Sequence, residues 1–205
     1  MHHNITQNSE EWFALRLGRI TSSKFDVINM KPSTKGFQNY IRKIAYERLT
    51  GESFPEKWKG DEYTEAGHEK EQTGIEAYEE ATFQKVHPGG FFELDEWIGG
   101  SPDGIVGEDG LVEIKNIITG PQFMELVHRD FKPSREHLYQ CHGQMYVTGR
   151  KWVDLVHIHI MQSGRKVVNI QRINRDEDVM KEIEENLNAL KKVIEIEMQN
   201  LKPYL

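Results

Sequence analysis

Apolar and polar positions along the chain switch between a helical rhythm of three to four residues and the two-residue alternation of strands. Ser9, followed by Glu10 and Glu11, predicts a capped short helix ending near Gly18, and a second helix is expected to start at Thr21 to Ser23. Lys31 to Gly36 reads as a loop, Phe37 to Leu49 as an amphipathic helix and Glu52 to Gly60 as another loop. Asp61 to Thr82 is a long helix. Phe83 to Val86 and Phe91 to Leu94 flank His87-Pro88-Gly89-Gly90, which predicts a hairpin-like pair. Thr119 with Pro121 opens a helix, because a missing proline donor does no harm in a first turn. A further helix spans 134 to 148, with Gln140 and Gln144 one turn apart. Lys151 to Met161 and Arg165 to Ile173 form a strand pair turning at Ser163-Gly164, and a long helix runs from Asn174 to Leu201.

The central stretch is SPDGIVGEDGLVEIK, from Ser101 to Lys115. Gly107, Asp109 and Gly110 mark a turn, so Ile105-Val106 folds back on Leu111-Val112 and brings Asp103 near Glu113. Glu113 and Lys115 lie two residues apart on a strand and share a face, while Val112 and Ile114 point into the opposite layer. Two carboxylates and an amine then meet at one edge. Hard divalent cations take such oxygen ligands, and a lysine beside them either holds the metal-bound water or stabilises charge developing on an attacked phosphate. The bland alternative is an edge hairpin whose charged groups face solvent.

Composition narrows the class. The chain has 205 residues, enough for one large domain, and 37% of them are hydrophobic. Mean hydropathy is -0.66, and no apolar run approaches the ~20 residues that span a bilayer. No secretory signal opens the sequence, and a lone cysteine, Cys141, forms no internal disulfide, so a reducing cytoplasm is expected. A net charge of -7 argues mildly against a protein that coats itself in nucleic acid. Carboxylates that bind metal are neutralised by it, so a local nucleic-acid groove remains compatible with that charge.

Two further groups stand out. Arg16, Arg19, Ser22, Ser23 and Lys24 cluster around a helix N-terminus, where free N–H groups favour an anion. The plain reading is a capping Ser22 with solvated cations. Glu71 falls on the stripe Tyr63, Gly67, Glu71, Ile75 and Tyr78, otherwise apolar or small, so it either sits at the helix margin or faces the hairpin cluster. His157 and His159 share a strand face but lack partners at zinc-ligand spacing, and are expected to be satisfied or solvated. Phosphate loops of the Walker type, dinucleotide fingerprints and nucleophile elbows are absent from the sequence.

Taken in order, Leu-Arg-x-Gly-x-Ile-Thr-x-Ser at 15 to 23, Gly67 to Glu71, Ser-Pro-Asp-Gly at 101 to 104, Glu-Ile-Lys at 113 to 115 and Gln140 to Met145 resemble the lambda-exonuclease family of viral recombinases and alkaline exonucleases. The resemblance covers residues from about 10 to about 160. It implies an α/β, restriction-endonuclease-like fold in a single nuclease domain over 1–205, with a central mixed sheet flanked by helices. It also implies Mg²⁺-dependent 5′-to-3′ digestion of one strand of linear duplex DNA, with one or two ions and Mn²⁺ able to substitute.

Carried across by motif, the resemblance assigns Asp103, Glu113 and Lys115 to the catalytic centre. The Ile114 carbonyl and Glu71 join Asp103 and Glu113 as metal ligands, and Gln140 supports the active site. Arg16, Ser23 and Ser101 match residues that hold a terminal 5′-phosphate. Two positions depart from the family pattern: Ser33 stands where some relatives have an arginine, and His142 where a second glutamine is expected. A ring-shaped homotrimer and a single-strand-annealing recombinase partner are further implications. Two alternatives are an endonuclease of the same fold, which would cut closed circles, and a non-catalytic DNA-binding protein, against which the intact carboxylates and lysine speak.

Overall fold

The computed structural model describes residues 1–55 and 62–205, the side chains of 62–70 excepted. A five-stranded mixed sheet forms its centre, in the spatial order β3 (Val86–Pro88), β6 (Gly104–Val106), β7 (Gly110–Ile117), β8 (Trp152–Ile160) and β9 (Lys166–Asn174). Only β7 and β8 run parallel within it. The crossover between them carries helices α4 (Gly120–His128) and α5 (Arg135–Thr148), as a parallel connection requires. Thr119 and Gln122 close a capping box at the start of α4, and Ser134 caps α5.

Strand alternation sorts the two faces. Val112, Ile114, Val156 and Ile158 pack against Ala77 and Tyr78 of helix α3 (Glu62–Thr82). Leu111, Val153 and Leu155 pack on the other face against Cys141 and Met145 of α5. Helix α6 (Glu177–Leu201) buries Ile183, Leu187, Leu190 and Ile194 against helix α2 (Lys35–Thr50) and the segment after Thr21. Among the described residues no helix is long and apolar enough to cross a membrane.

Most of the expected elements appear within a residue or two of their predicted ends. Helix α1 (Glu10–Arg16) is capped by the Ser9 hydroxyl and followed by Gly18 at φ +67°. The helix expected after Thr21 is a 3₁₀ segment, Ser22–Asn29, broken at Lys24. The loop expected over 52–60 and the first residue of the long helix, Asp61, lie partly outside the described residues.

The hairpin expected on either side of His87 to Gly90 does not form. Strand β3 pairs with β6 in the large sheet. Strand β4 (Phe91–Glu93) belongs to a second, four-stranded sheet, between β1 (His2–His3) and β5 (Ile98–Gly100), with β2 (Ile20–Thr21) parallel to β5 on its far side. The chain changes sheets at Gly89-Gly90. Gly90 adopts φ +63°, and a Cβ on Gly89 would lie 1.8 Å from the Pro102 carbonyl oxygen. The glycines there do mark a turn, but local chemistry does not say which strands the turn serves. Strand β3 also begins at Val86 rather than Phe83, which is left-handed at φ +57° and 95% exposed.

Candidate active site

Register builds the site. Strands β6 and β7 pair Gly104 with Val112, so Asp103 arrives one residue past the last pair, opposite Glu113. There its Oδ2 accepts the Ile114 amide at 2.7 Å. A residue's N–H and C=O leave an extended strand on the same edge, so the Ile114 carbonyl lies on the side that Asp103 occupies.

Glu113 is 3% exposed and points toward α5. Its Oε1 accepts Lys115 Nζ at 2.7 Å and Gln140 Nε2 at 2.5 Å, and its Oε2 accepts Gln144 Nε2 at 2.5 Å. Lys115 Nζ also donates to Gln140 Oε1 at 2.8 Å. Glu113, Lys115 and Gln140 thus form a closed triangle of charge-assisted bonds.

Electrostatics set the members apart. Burial first, then the charges of Glu113 and Glu71, push the Asp103 carboxyl well above the usual range, against the Ile114 amide and Lys115. Burial opposes the Lys115 ammonium, but Glu113 and Asp103 outweigh it and raise its pKa. The charge of Glu71 is thus among those acting on Asp103. Helix α3 comes this near because Gly74, one turn further on, lets the helix lie directly on Ile114. At Tyr63 and Gly67, earlier on that stripe, the structure describes the helix but no side chain or burial. Two turns past Glu71, Tyr78 donates to buried Asp154 at 2.7 Å, which Arg172 grips with two 2.8 Å bonds.

Among the described residues no three His, Cys, Asp or Glu side chains converge as a ready-made metal cage. Glu113 is instead turned onto its three donors. The donor set still suits a hard divalent cation: mutually repelling carboxylates on Asp103, Glu113 and Glu71, with a strand-edge carbonyl beside them.

A second group lies at the end of α1. Arg16 stacks on Trp12, with the guanidinium carbon 4.2 Å from the ring centroid. Its Nη2 reaches Thr21 Oγ1 at 3.3 Å and Ser23 Oγ at 3.5 Å, both long contacts for a guanidinium. Burial lowers its pKa, partly offset by Tyr40 and Glu47. Trp12 Nε1 donates to Ser101 Oγ at 2.7 Å, so Ser101 joins this group through the indole. Trp12, Arg16 and Thr21 border a cleft of about 1060 Å³, also lined by Lys24, Tyr40 and Lys43, whereas Ser23 and Ser101 stand outside its lining. Ser22 is buried, and the cap position of its segment falls to Thr21, whose side chain makes no capping bond.

Three contributors escaped the sequence reading. Trp12 and Thr21 gave no signal beyond their neighbourhood to Arg16. Gln144 did give one, its helical spacing from Gln140, but burial turned that spacing into a contact. Burial lowers the His142 pKa, with the charges of Asp176 and Arg175 acting on it in opposite senses. His159 Nδ1 bonds the Ile117 carbonyl at 2.8 Å and its ring stacks on Phe123. His157 departs from expectation. It is buried with neither ring nitrogen hydrogen-bonded among the described residues, beside His137. Burial, His137 and Lys115 lower its pKa to about 4.

This geometry has relatives. The model of the YqaJ-like viral recombinase domain matches residues 11–151. The alkaline exonuclease LHK-Exo from Laribacter hongkongensis is 31% identical, with a TM-score of 0.80 over 96% of this chain and 97% of that one. Its complex with dAMP aligns at 30% identity, TM-score 0.80 and the same coverage of 96% and 97%. A phage related exonuclease from Haemophilus somnus shares the fold at 17% identity and TM-score 0.64, over 93% of this chain and 98% of that one. No curated protein is a significant match. With most of its length matched, a mixed sheet flanked by helices and a restriction-endonuclease-like core, the chain belongs to the YqaJ-like viral recombinase domain family, among the lambda-exonuclease-like alkaline exonucleases.

Proposed function

We propose that this protein is a Mg²⁺-dependent 5′-to-3′ exonuclease that removes one strand of linear double-stranded DNA and leaves a 3′ overhang for recombination. The observation that carries the reading is the Lys115 ammonium held between Glu113 and Gln140, across the hairpin from Asp103. Asp103, Glu113, Glu71 and the Ile114 carbonyl would hold one or two Mg²⁺, with Mn²⁺ able to substitute. The bound metal supplies Lewis acidity toward a phosphate and lowers the pKa of a coordinated water. Lys115 donates to the attacked phosphate and stabilises its growing negative charge, while Gln140 keeps the ammonium in place. Asp103 must give up its proton before it binds a cation.

The second group supports an end-reading enzyme. Among the described residues the hydrogen bonds of Arg16 are long hydroxyl contacts, beside its stacking on Trp12, which leaves a half-buried guanidinium ready for a stronger anionic partner. Arg16, Ser23 and Ser101 then hold a 5′-phosphate, and Thr21 lies within the same group. That the relative LHK-Exo forms a complex with dAMP, a nucleoside monophosphate of the kind such digestion releases, agrees with this reading. A homotrimer encircling the duplex, working in the cytoplasm with a single-strand-annealing recombinase, would explain how a chain of net charge -7 stays on DNA.

The test is timed digestion of linear duplex carrying a label at either end, with a closed circle alongside. Early release of the 5′ label, Mg²⁺ dependence and an intact circle are expected. A nicked or linearised circle would favour an endonuclease of the same fold, and inactivity in both Mg²⁺ and Mn²⁺ a non-catalytic DNA-binding protein.

A further inference from the structure

We infer that Gln144 is a positioning residue for Glu113, holding one carboxylate oxygen out of the ion pair with Lys115 so that it is available to a divalent cation. The inference rests on the proposed reading of Glu113 as a metal ligand.

Glu113 presents its two oxygens unequally. Lys115 and Gln140 both engage Oε1, whereas among the described residues Oε2 is held by Gln144 alone, at 2.5 Å. Gln144 is 1% exposed, and its own Oε1 has no hydrogen-bond partner among the described residues. Turning the amide over would set Oε1 against Glu113 Oε2, two acceptors in contact, so the donor orientation is enforced. The site therefore accepts one unpaired buried acceptor in exchange for a bond to Glu113, and such an acceptor costs free energy. An apolar side chain of equal length would fill the same space without that cost. Packing alone does not call for an amide at this position.

Removing the Gln144 donor frees the carboxylate to rotate. The nearest cation is Lys115, 2.7 Å from Oε1, and an unrestrained Glu113 can offer it both oxygens. Every oxygen given to the ammonium is one taken from a metal. Gln140 does not prevent this, because it shares Oε1 with Lys115. Among the described residues the donors to Glu113 are Lys115, Gln140 and Gln144, and His142, two residues from Gln140, is not one of them.

The experiment compares the unaltered protein with Gln144→Met, which keeps side-chain length and removes the donor. Two readouts are taken: the Mg²⁺ concentration giving half of the metal-induced rise in melting temperature without DNA, and kcat and KM on 5′-phosphorylated duplex. Gln144→Met should raise the half-saturating Mg²⁺ concentration by about ten- to a hundredfold. At fixed subsaturating Mg²⁺, kcat should fall in step while KM for DNA stays unchanged. Should Gln144→Met not fold, Gln144→Asn, whose amide is one methylene short of Glu113, should shift the metal titration in the same direction. Unchanged Mg²⁺ half-saturation and kcat in a folded variant, or a loss confined to thermal stability, overturns the positioning role and leaves the proposed function standing. An unaltered protein with neither a Mg²⁺-induced shift nor digestion of DNA overturns both.

Discussion

Gly74 of α3 and Ile114 of β7 are in such close contact that a Cβ on the glycine would sit 2.4 Å from Ile114 Cγ2. Glu71 lies one helical turn before this contact and Asp103 is bonded to the Ile114 amide, so one helix-to-strand distance governs both carboxylates. Gly74→Ala therefore sets two effects against each other. Alanine favours the helix by about 0.8–1 kcal/mol. The clash with a branched, buried side chain costs about 1–3 kcal/mol. The net outcome should be a lower melting temperature and a nuclease impaired beyond its loss of stability, measured by thermal denaturation and by turnover per folded molecule.

Lys115→Ala should lower turnover by about 10²- to 10³-fold, the usual loss for a donor aimed at developing charge, while duplex binding persists. Asp103→Ala should abolish cleavage and Glu71→Ala impair it severely. Cleavage assays in saturating Mg²⁺, paired with a gel-shift measurement, check all three. A fully active Glu71→Ala would return that residue to the helix margin.

End preference tests the Arg16 group. Linear duplex bearing a 5′-phosphate should be degraded faster than the same duplex with a 5′-hydroxyl, because a terminal phosphate carries more charge than a bridging one. Charge-assisted bonds are worth about 1.5–3 kcal/mol, so Arg16→Ala should reduce use of the phosphorylated end by about ten- to a hundredfold at subsaturating DNA. Equal rates on the two ends in the unaltered protein would remove the assignment and leave the carboxylate centre intact.

The raised Asp103 pKa has a definite sign. Between the ordinary aspartate value near ~3.9 and the raised folded value, the native state binds more protons than the unfolded chain. Stability of the metal-free protein from this group therefore falls as pH rises through that window, and Asp103→Asn should flatten the slope. Metal binding requires the deprotonated group, so Mg²⁺ should protect best at the alkaline end and activity should fall on acidification. Melting curves across pH, with Mg²⁺ or with chelator, measure both trends.

Legibility followed the range of the interactions. The β6–β7 hairpin could be read from Gly107 to Gly110 because turn and register lie within a few residues, and Glu113 and Lys115 share a face by alternation alone. The partners of β3 and β4 could not, because Val86 meets Val106 and Phe91 meets His3 across distances in sequence that no local pattern encodes. Gln144 shows the same limit at a single residue: its spacing from Gln140 was visible, but whether a polar helix position meets solvent or Glu113 depends on how α5 lies across the sheet.

The crossing at Gly89 ties the two sheets to the turn that carries Asp103. His2 bonds the Gly89 carbonyl from the small sheet, and Gln7 bonds the Pro102 carbonyl, the same atom that leaves no room for a side chain at position 89. Pro102 immediately precedes Asp103. Position 89 is thus sterically bound to the placement of the acid: a single added methyl group there has nowhere to go except into the backbone that aims the Asp103 carboxylate.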